Sequence, residues 1–248
     1  MSAVRRWLPN QHGAWAMLAV PFVTGVLIGG PAWIDLPLFV AWILAYVAAF
    51  HAQQWLRLRR LSRNPRAAAR HVRPALVTGV ATAAVGIPLA VAEPWLLLAA
   101  AAMTPFLAVN AWHARYNRER DLLNGIVAVV PACGMLLVTL RLGGGSLGLV
   151  DGLAPAAACL LYFAGTVPYV KTMIRERDSL AYRRGSVAYH ALALVAATLL
   201  SPWLALPFAL YLARAAALPG RRLTPPVVGA VELAGSLTLM GFLVGAYG

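Results

Sequence analysis

The chain has 248 residues, 61% of them hydrophobic, with a mean hydropathy of +0.72 and a formal charge of +13. A soluble domain carries about 45–50% apolar residues, glycine included, so the composition excludes an ordinary soluble fold and points to a bilayer. No polar, Pro-rich or Ser-rich linker divides the sequence, and one integral membrane domain over residues 1–248 is expected.

A spanning helix needs roughly 20 apolar residues. Arg5 and Arg6 ahead of an apolar run resemble a signal peptide. The run has no clear small-x-small cleavage site, and further apolar segments follow at once, so a retained first helix is expected. Predicted helix 1 covers about Ala14–Gly30 and stops at Gly29-Gly30-Pro31. Helix 2 covers Leu36–Leu56 and is followed by the basic loop Arg57–Arg73. Helix 3 covers Pro74–Ala92, with proline in its first turn. Glu93-Pro94 turns the chain into helix 4, Trp95–Trp112. Helix 5 is Leu122–Leu142, the glycine-rich Gly143–Gly148 is a turn, and helix 6 is Leu149–Val170. Val187–Leu218 is too long for one helix, and Ser201-Pro202 divides it into helices 7 and 8. Helix 9 is Pro225–Tyr247, with Thr224 as its N-cap.

Cytoplasmic loops collect Lys and Arg. With nine transmembrane helices, the N-terminus cytoplasmic and the C-terminus outside, all but Arg141 of the 21 basic residues fall on the inner side. Asp35, Glu93 and Asp151 fall on the outer side. The charge is therefore a positive-inside signature, and nucleic acid is not an expected partner. Cys133 and Cys159 lie within apolar runs and read as small core residues rather than a disulfide or a metal site.

One tetrapeptide occurs twice. Arg118-Glu119-Arg120-Asp121 follows helix 4, and Arg175-Glu176-Arg177-Asp178 follows helix 6. Charged residues make up only 12% of the chain, so chance is a poor account of the repeat. Within a copy the first Arg and the Asp are three apart and able to pair, as Arg118 with Asp121. Solvated ion pairs are the plain alternative, although such pairs contribute only about 0–1 kcal/mol. The two copies are expected to converge on one cytoplasmic cavity, with Arg118 and Arg175 facing it.

Other candidates surround these copies. Asn10-Gln11-His12-Gly13-Ala14-Trp15 opens helix 1; Asn10 suits a cap and Trp15 the interfacial belt, while neither task needs His12. His51 and Gln54 share a face in the last turns of helix 2, and line a cavity or bond to a neighbouring helix. Asn110, His113, Asn117 and Asp121 make one polar stripe if helix 4 continues past the membrane, and Asn124 extends it into helix 5. The second copy runs from Arg175 to Asp178, and Tyr169, Lys171, Tyr182, Arg183, Arg184 and Ser186 surround it. Arginine suits bidentate phosphate contact, and a helix beginning at Gly185-Ser186 would offer free N–H groups; anionic lipid head groups are the alternative occupant. Glu232 is the one carboxylate inside a predicted span and calls for a partner, His190 or an inner arginine. Glu232, His51 and His190 are the candidate proton-handling groups. All five histidines fall near the inner side, which leaves bis-histidine haem open without any spacing that specifies it.

Asn10–Trp15 with Ala16-Met17-Leu18-Ala19-Val20-Pro21, the two Arg-Glu-Arg segments and Ser186-Val187-Ala188-Tyr189-His190 resemble the YwiC-like family of bacterial membrane proteins over essentially the whole chain. A more distant similarity is to the UbiA prenyltransferase superfamily. It implies a nine-helix all-α bundle with a cytoplasm-facing cavity and Mg²⁺-diphosphate bound by Asp-rich motifs after helices 2 and 6. Asp178 stands in the second position, but Arg57–Arg73 contains no acidic residue, so those motifs are incomplete. Any diphosphate would be neutralised by arginine directly. The expectation is a multi-pass cell-membrane protein with an arginine-rich inner cavity that binds or transfers a phosphate-bearing isoprenoid or lipid. A small-molecule or anion transporter, and a non-catalytic subunit of a membrane complex, are the alternatives. The two repeats lie on one side, which does not support an inverted-repeat transporter.

Overall fold

The computed structural model describes residues 7–9 and 12–248, His12 by its backbone alone. Arg5, Arg6 and the Asn10 cap lie outside the described residues, as does the His12 side chain. The described residues form helices and no strands: α1 (His12–Gly29), α2 (Asp35–Leu61), α3 (Pro65–Ala69), α4 (Val72–Ala92), α5 (Leu96–Arg115), α6 (Leu122–Leu142), α7 (Ala154–Ile174), α8 (Leu180–Leu200), α9 (Ala205–Ala217) and α10 (Pro225–Tyr247). A π-turn at Leu149–Leu153 leads into α7, and a 3₁₀ turn at Pro202–Leu204 separates α8 from α9.

Local chemistry sets most boundaries. Gly30, at φ 90°, ends α1, and Gly144, at φ 85°, turns the chain after α6. Asp35 accepts from Ala32 N–H at 2.7 Å, and Glu93 accepts from Trp95 Nε1–H at 2.8 Å; these two acidic residues close turns at the helix ends opposite the arginines. Ser201 and Pro202 divide α8 from α9 as their residue types require. Thr224 holds the N-cap position of α10, but its side chain makes no cap hydrogen bond. The short α3 within the basic loop has no apolar periodicity to announce it. Asn64 caps it by accepting from Arg66 N–H at 3.0 Å, and Pro65 opens it.

Residues 32–131, with residues 7–9, form one compact unit; residues 12–31 and 132–248 form a second. In the first unit α2 packs against α3, α4 and α5. In the second, α7 and α9 flank α8, and α10 packs on α1, α7 and α9. Tyr169, Met173, Ala215 and Val228 make a buried cluster there. Helix α1 approaches the second half of α6 closely. Thr139 donates to Phe22 O at 3.0 Å, and Gly25 sits where any side chain would meet Thr139 Oγ1 and the Leu136 backbone.

Among the described residues, six helical segments are long and apolar enough to cross a membrane: Asp35–Leu61, Pro65–Ala92, Leu96–Arg115, Leu122–Leu142, Leu149–Ile174 and Pro225–Tyr247. Their outer faces are apolar where water would be costly, with Val80 68% and Leu98 75% exposed. Of the nine expected spans, α1, α8 and α9 stand apart. α1 is a shorter apolar helix. α8 carries Arg183, Arg184 and His190 in its first half. At 13 residues α9 is about 20 Å long, short of a hydrocarbon core of about 30 Å.

Candidate functional site

In the first unit the apolar part of α2 runs into three arginines, Arg57, Arg59 and Arg60, before the helix stops at Leu61. The chain turns through α3 and returns along α4. Between them lies a groove of about 370 Å³ lined by Trp55, Leu58, Ala68 and Val72, with Arg59 and Arg63 among its walls. The Arg59 guanidinium carbon stands 5.1 Å from the Trp55 ring centroid, a cation–π contact. Among the described residues no carboxylate pairs with Arg59 or Arg63. Nor does the segment between α2 and α4 contain a carboxylate able to hold Mg²⁺.

The first tetrapeptide crowns the same unit. Arg118 Nε donates to Asp121 Oδ2 at 2.7 Å, the pairing its spacing predicts. Glu119 turns instead to Arg57, 3.2 Å away on α2. The stripe from Asn110 to Asp121 does not run on one helix. α5 stops at Arg115, and Asn117 takes a left-handed φ of 58°, which asparagine tolerates. Asn117 then accepts from Arg57 Nε at 3.0 Å. Asn124 does connect to the stripe: Asn110 Nδ2 donates to Asn124 Oδ1 at 2.8 Å, and Asn124 Nδ2 donates to Glu119 O at 2.9 Å.

Behind the groove, His51 and His71 form a chain whose proton order follows from its ends. His51 Nε2 lies 2.9 Å from the Trp7 carbonyl, which only accepts, so Nε2 carries hydrogen and Nδ1 is the acceptor of a neutral ring. His71 Nδ1, 2.8 Å away, therefore donates to it. His71 Nε2 is left to accept from Arg70 Nε at 3.4 Å. The two rings hold opposite donor and acceptor nitrogens, assigned from the network. Two nitrogens on opposite sides of a metal ion lie about 4 Å apart, so this pair is a hydrogen bond and does not bracket a haem iron. Gln54, one turn from His51, is half-buried.

In the second unit the repeated tetrapeptide behaves differently. Arg175 and Asp178 are exposed and unpaired in any ion pair among the described residues. Arg177 does the bonding, donating to Met173 O at 2.6 Å and to Leu223 O at 3.5 Å. Lys171 Nζ lies 5.8 Å from the Tyr182 ring centroid. α8 starts five residues before the expected Gly185-Ser186, because Ser179 supplies the N-cap and accepts from Tyr182 N–H. Ser186 is consequently a buried residue in the second turn, and its N–H is not a free helix-terminal donor.

The strongest polar feature of this unit is buried. Glu232 finds its partner in Arg214 on α9, whose Nη1 donates to Glu232 Oε1. Their side chains are only 10% and 8% exposed. Three tyrosine rings surround the guanidinium carbon, Tyr169 at 4.2 Å, Tyr211 at 5.5 Å and Tyr162 at 5.7 Å. Tyr162 Oη donates to Glu232 O at 2.9 Å and Tyr211 Oη to Gly235 O at 2.8 Å, so α7, α9 and α10 meet at this pair. His190, another candidate, donates through Nδ1 to Ser186 O at 2.7 Å, and its ring lies 6.4 Å from that of Tyr169. The candidates thus fall into two groups. Gln54, His51, Asn110, Asn117, Arg118, Asp121 and Asn124 belong to the first unit. Lys171, Arg175, Asp178, Tyr182, Ser186, His190 and Glu232 belong to the second. Arg214 is one of the inner arginines expected as the partner of Glu232, whereas Tyr162 and Tyr211 carry no sequence signal that singles them out.

Comparison with known proteins gives the family. The chain is 32% identical over 187 residues to the uncharacterized protein YwiC of Bacillus subtilis (strain 168), covering 75% of this chain and 74% of that one. It is 31% identical over 234 residues to an uncharacterized protein of Haemophilus influenzae (strain ATCC 51907 / DSM 11121 / KW20 / Rd), covering 92% of each. No solved structure matches the chain. The family model described as YwiC-like protein matches residues 8–140, through the arginine groove and the first tetrapeptide into α6. Together with the two relatives it assigns the chain to the YwiC-like family.

Proposed function

We propose that this protein is a multi-pass cell-membrane protein, N-terminus cytoplasmic and C-terminus outside, that binds a phosphate-bearing lipid or isoprenoid at its inner, arginine-bearing end. The observation that carries this is the groove beside α3, where Arg59 and Arg63 stand without a carboxylate partner over an apolar floor of Trp55, Leu58, Ala68 and Val72. The arginines suit a phosphate, each charge-assisted hydrogen bond contributing about 1.5–3 kcal/mol. The floor suits the first methylenes of a chain, at about 0.8 kcal/mol per buried CH₂. The prenyltransferase-like comparison extends only to a basic, inward-facing end, because a segment without carboxylates cannot use Mg²⁺ between Asp motifs. Ligand binding is therefore expected to be insensitive to EDTA.

Lipid mass spectrometry on the purified protein tests this reading. A phosphate-bearing lipid is expected to co-purify in excess over the bulk membrane and to be depleted in an Arg59→Gln/Arg63→Gln double variant. Equal lipid content in wild type and variant would refute it.

A further inference from the structure

The buried cluster of the second unit has more hydrogen-bonding capacity than its own residues fill. Arg214 uses Nη1 on Glu232, but its Nε and Nη2, the edge that makes bidentate contacts, have no hydrogen-bond partner among the described residues. Glu232 Oε2 and the Tyr169 hydroxyl have none either, and all four atoms are shielded from solvent. The Arg214 and Glu232 side chains are at least nine-tenths buried, and Tyr169 wholly so. Groups in this condition are costly inside a bilayer unless a partner is supplied. Tyr162, Tyr211 and His190 Nδ1 donate their hydrogens to backbone carbonyls, so none of these hydrogens reaches Glu232 Oε2.

The unfilled valences specify a ligand. Arg214 offers two donors side by side and calls for two acceptor oxygens. Glu232 Oε2 is an acceptor and calls for a donor on the same ligand. A carboxylate or a sulfate supplies the oxygens but no hydrogen. A neutral alcohol supplies the hydrogen but no paired oxygens. A phosphate monoanion supplies both, with two unprotonated oxygens and at least one P–OH. We propose that Arg214, Glu232 and Tyr169 form a binding site for a phosphate monoanion, either inorganic phosphate or the head of a lipid phosphomonoester. Two of its oxygens accept from Arg214 Nε and Nη2, a third group accepts from Tyr169, and its P–OH donates to Glu232 Oε2. That last contact converts a repulsion between two anions into a hydrogen bond. Access requires the basic ends of α8 and α9 to part; there Arg183 Nη2 donates to Ala216 O at 3.2 Å on the exposed side. The site is independent of the arginine groove of the first unit.

The test is calorimetric titration of the full chain in detergent, near pH 6, where about half or more of each phosphate probe is a monoanion. The probes are inorganic phosphate, sulfate and a short-chain lysophosphatidate. Wild type is expected to prefer phosphate over sulfate by roughly ten-fold or more, since a site built to accept a hydrogen rejects a ligand lacking it. Glu232→Gln, whose amide also donates, is expected to erase that preference. Tyr169→Phe, which removes only an unpartnered hydroxyl, is expected to weaken phosphate several-fold with an unchanged melting temperature. Binding of lysophosphatidate alone assigns the site to a lipid head, and binding of inorganic phosphate assigns it to the free ion. Equal affinity for phosphate and sulfate, or no binding of either phosphate probe, overturns the proposal. So does an undiminished phosphate preference in folded Glu232→Gln, or, should that variant not fold, unchanged phosphate affinity in Tyr169→Phe. The titrations are repeated in an Arg59→Gln/Arg63→Gln background, so that phosphate held at the groove does not mask loss of binding here and failure of this site is distinguishable from failure of the groove reading.

Discussion

Replacing Arg214 with methionine leaves the Glu232 carboxylate buried without its partner. Only 8% of the arginine side chain and 10% of the glutamate side chain are exposed, so water cannot take over the contact. Breaking a buried pair from one side costs about 3–5 kcal/mol. For a chain of this size each kcal/mol moves the melting temperature by about 2–4 °C. Arg214→Met is therefore expected to lower it by roughly 6–20 °C. An Arg214→Met/Glu232→Met double variant removes both charges and is expected to regain most of that loss, because an apolar replacement of a buried pair is often neutral. Arg57→Met serves as the contrast. Its contact with Glu119 is 31% and 21% exposed, and its removal is expected to cost no more than about 1 kcal/mol. The assay is thermal unfolding in detergent followed by a thiol-reactive dye, since Cys133 and Cys159 are free and buried until the fold opens. A fall of less than about 2 °C in the single variant, or a double variant no more stable than the single, would refute the reasoning.

Three further outcomes follow. In ¹⁵N imidazole spectra, His51 should show its hydrogen on Nε2 and His71 its hydrogen on Nδ1; one shared tautomer would contradict the chain from Arg70 to Trp7. Gly25→Ala should destabilise the chain by about 1–3 kcal/mol, since its methyl meets the Leu136 backbone and Thr139, whereas Gly79→Ala, with open space around it, should not. Cysteine at position 63 or 118 should be labelled only from the cytoplasm and cysteine at 145 only from outside; labelling of both sets from one side would contradict the orientation.

The helices were legible because apolar runs, glycine pairs and prolines mark their ends locally. Gly29-Gly30 and Ser201-Pro202 end helices by backbone chemistry that needs no neighbour. Boundaries failed where polar residues decide them. α8 begins at Leu180 because Ser179 caps it, yet Arg183 and Arg184 conceal a helix start in any hydropathy reading. Asn117 breaks the polar stripe by adopting a left-handed conformation that its spacing does not reveal. The two tetrapeptides teach the same lesson. Arg118–Asp121 closed as an i,i+3 pair, but Arg57 took Glu119, and in the second copy Arg177 took backbone carbonyls instead. Partners contributed by another helix are tertiary facts. Glu232 was recognisable as a carboxylate in need of a cation. Which of the inner arginines supplied it depended on α9 packing against α10.

The arginine groove of the first unit is the central claim, and photo-crosslinking tests it most directly. A phosphatidic acid carrying a diazirine near its head group should crosslink chiefly to residues 55–72, and the yield should collapse in the Arg59→Gln/Arg63→Gln variant. Crosslinks spread evenly over the apolar faces of α4, α5 and α10, unchanged in that variant, would contradict the account.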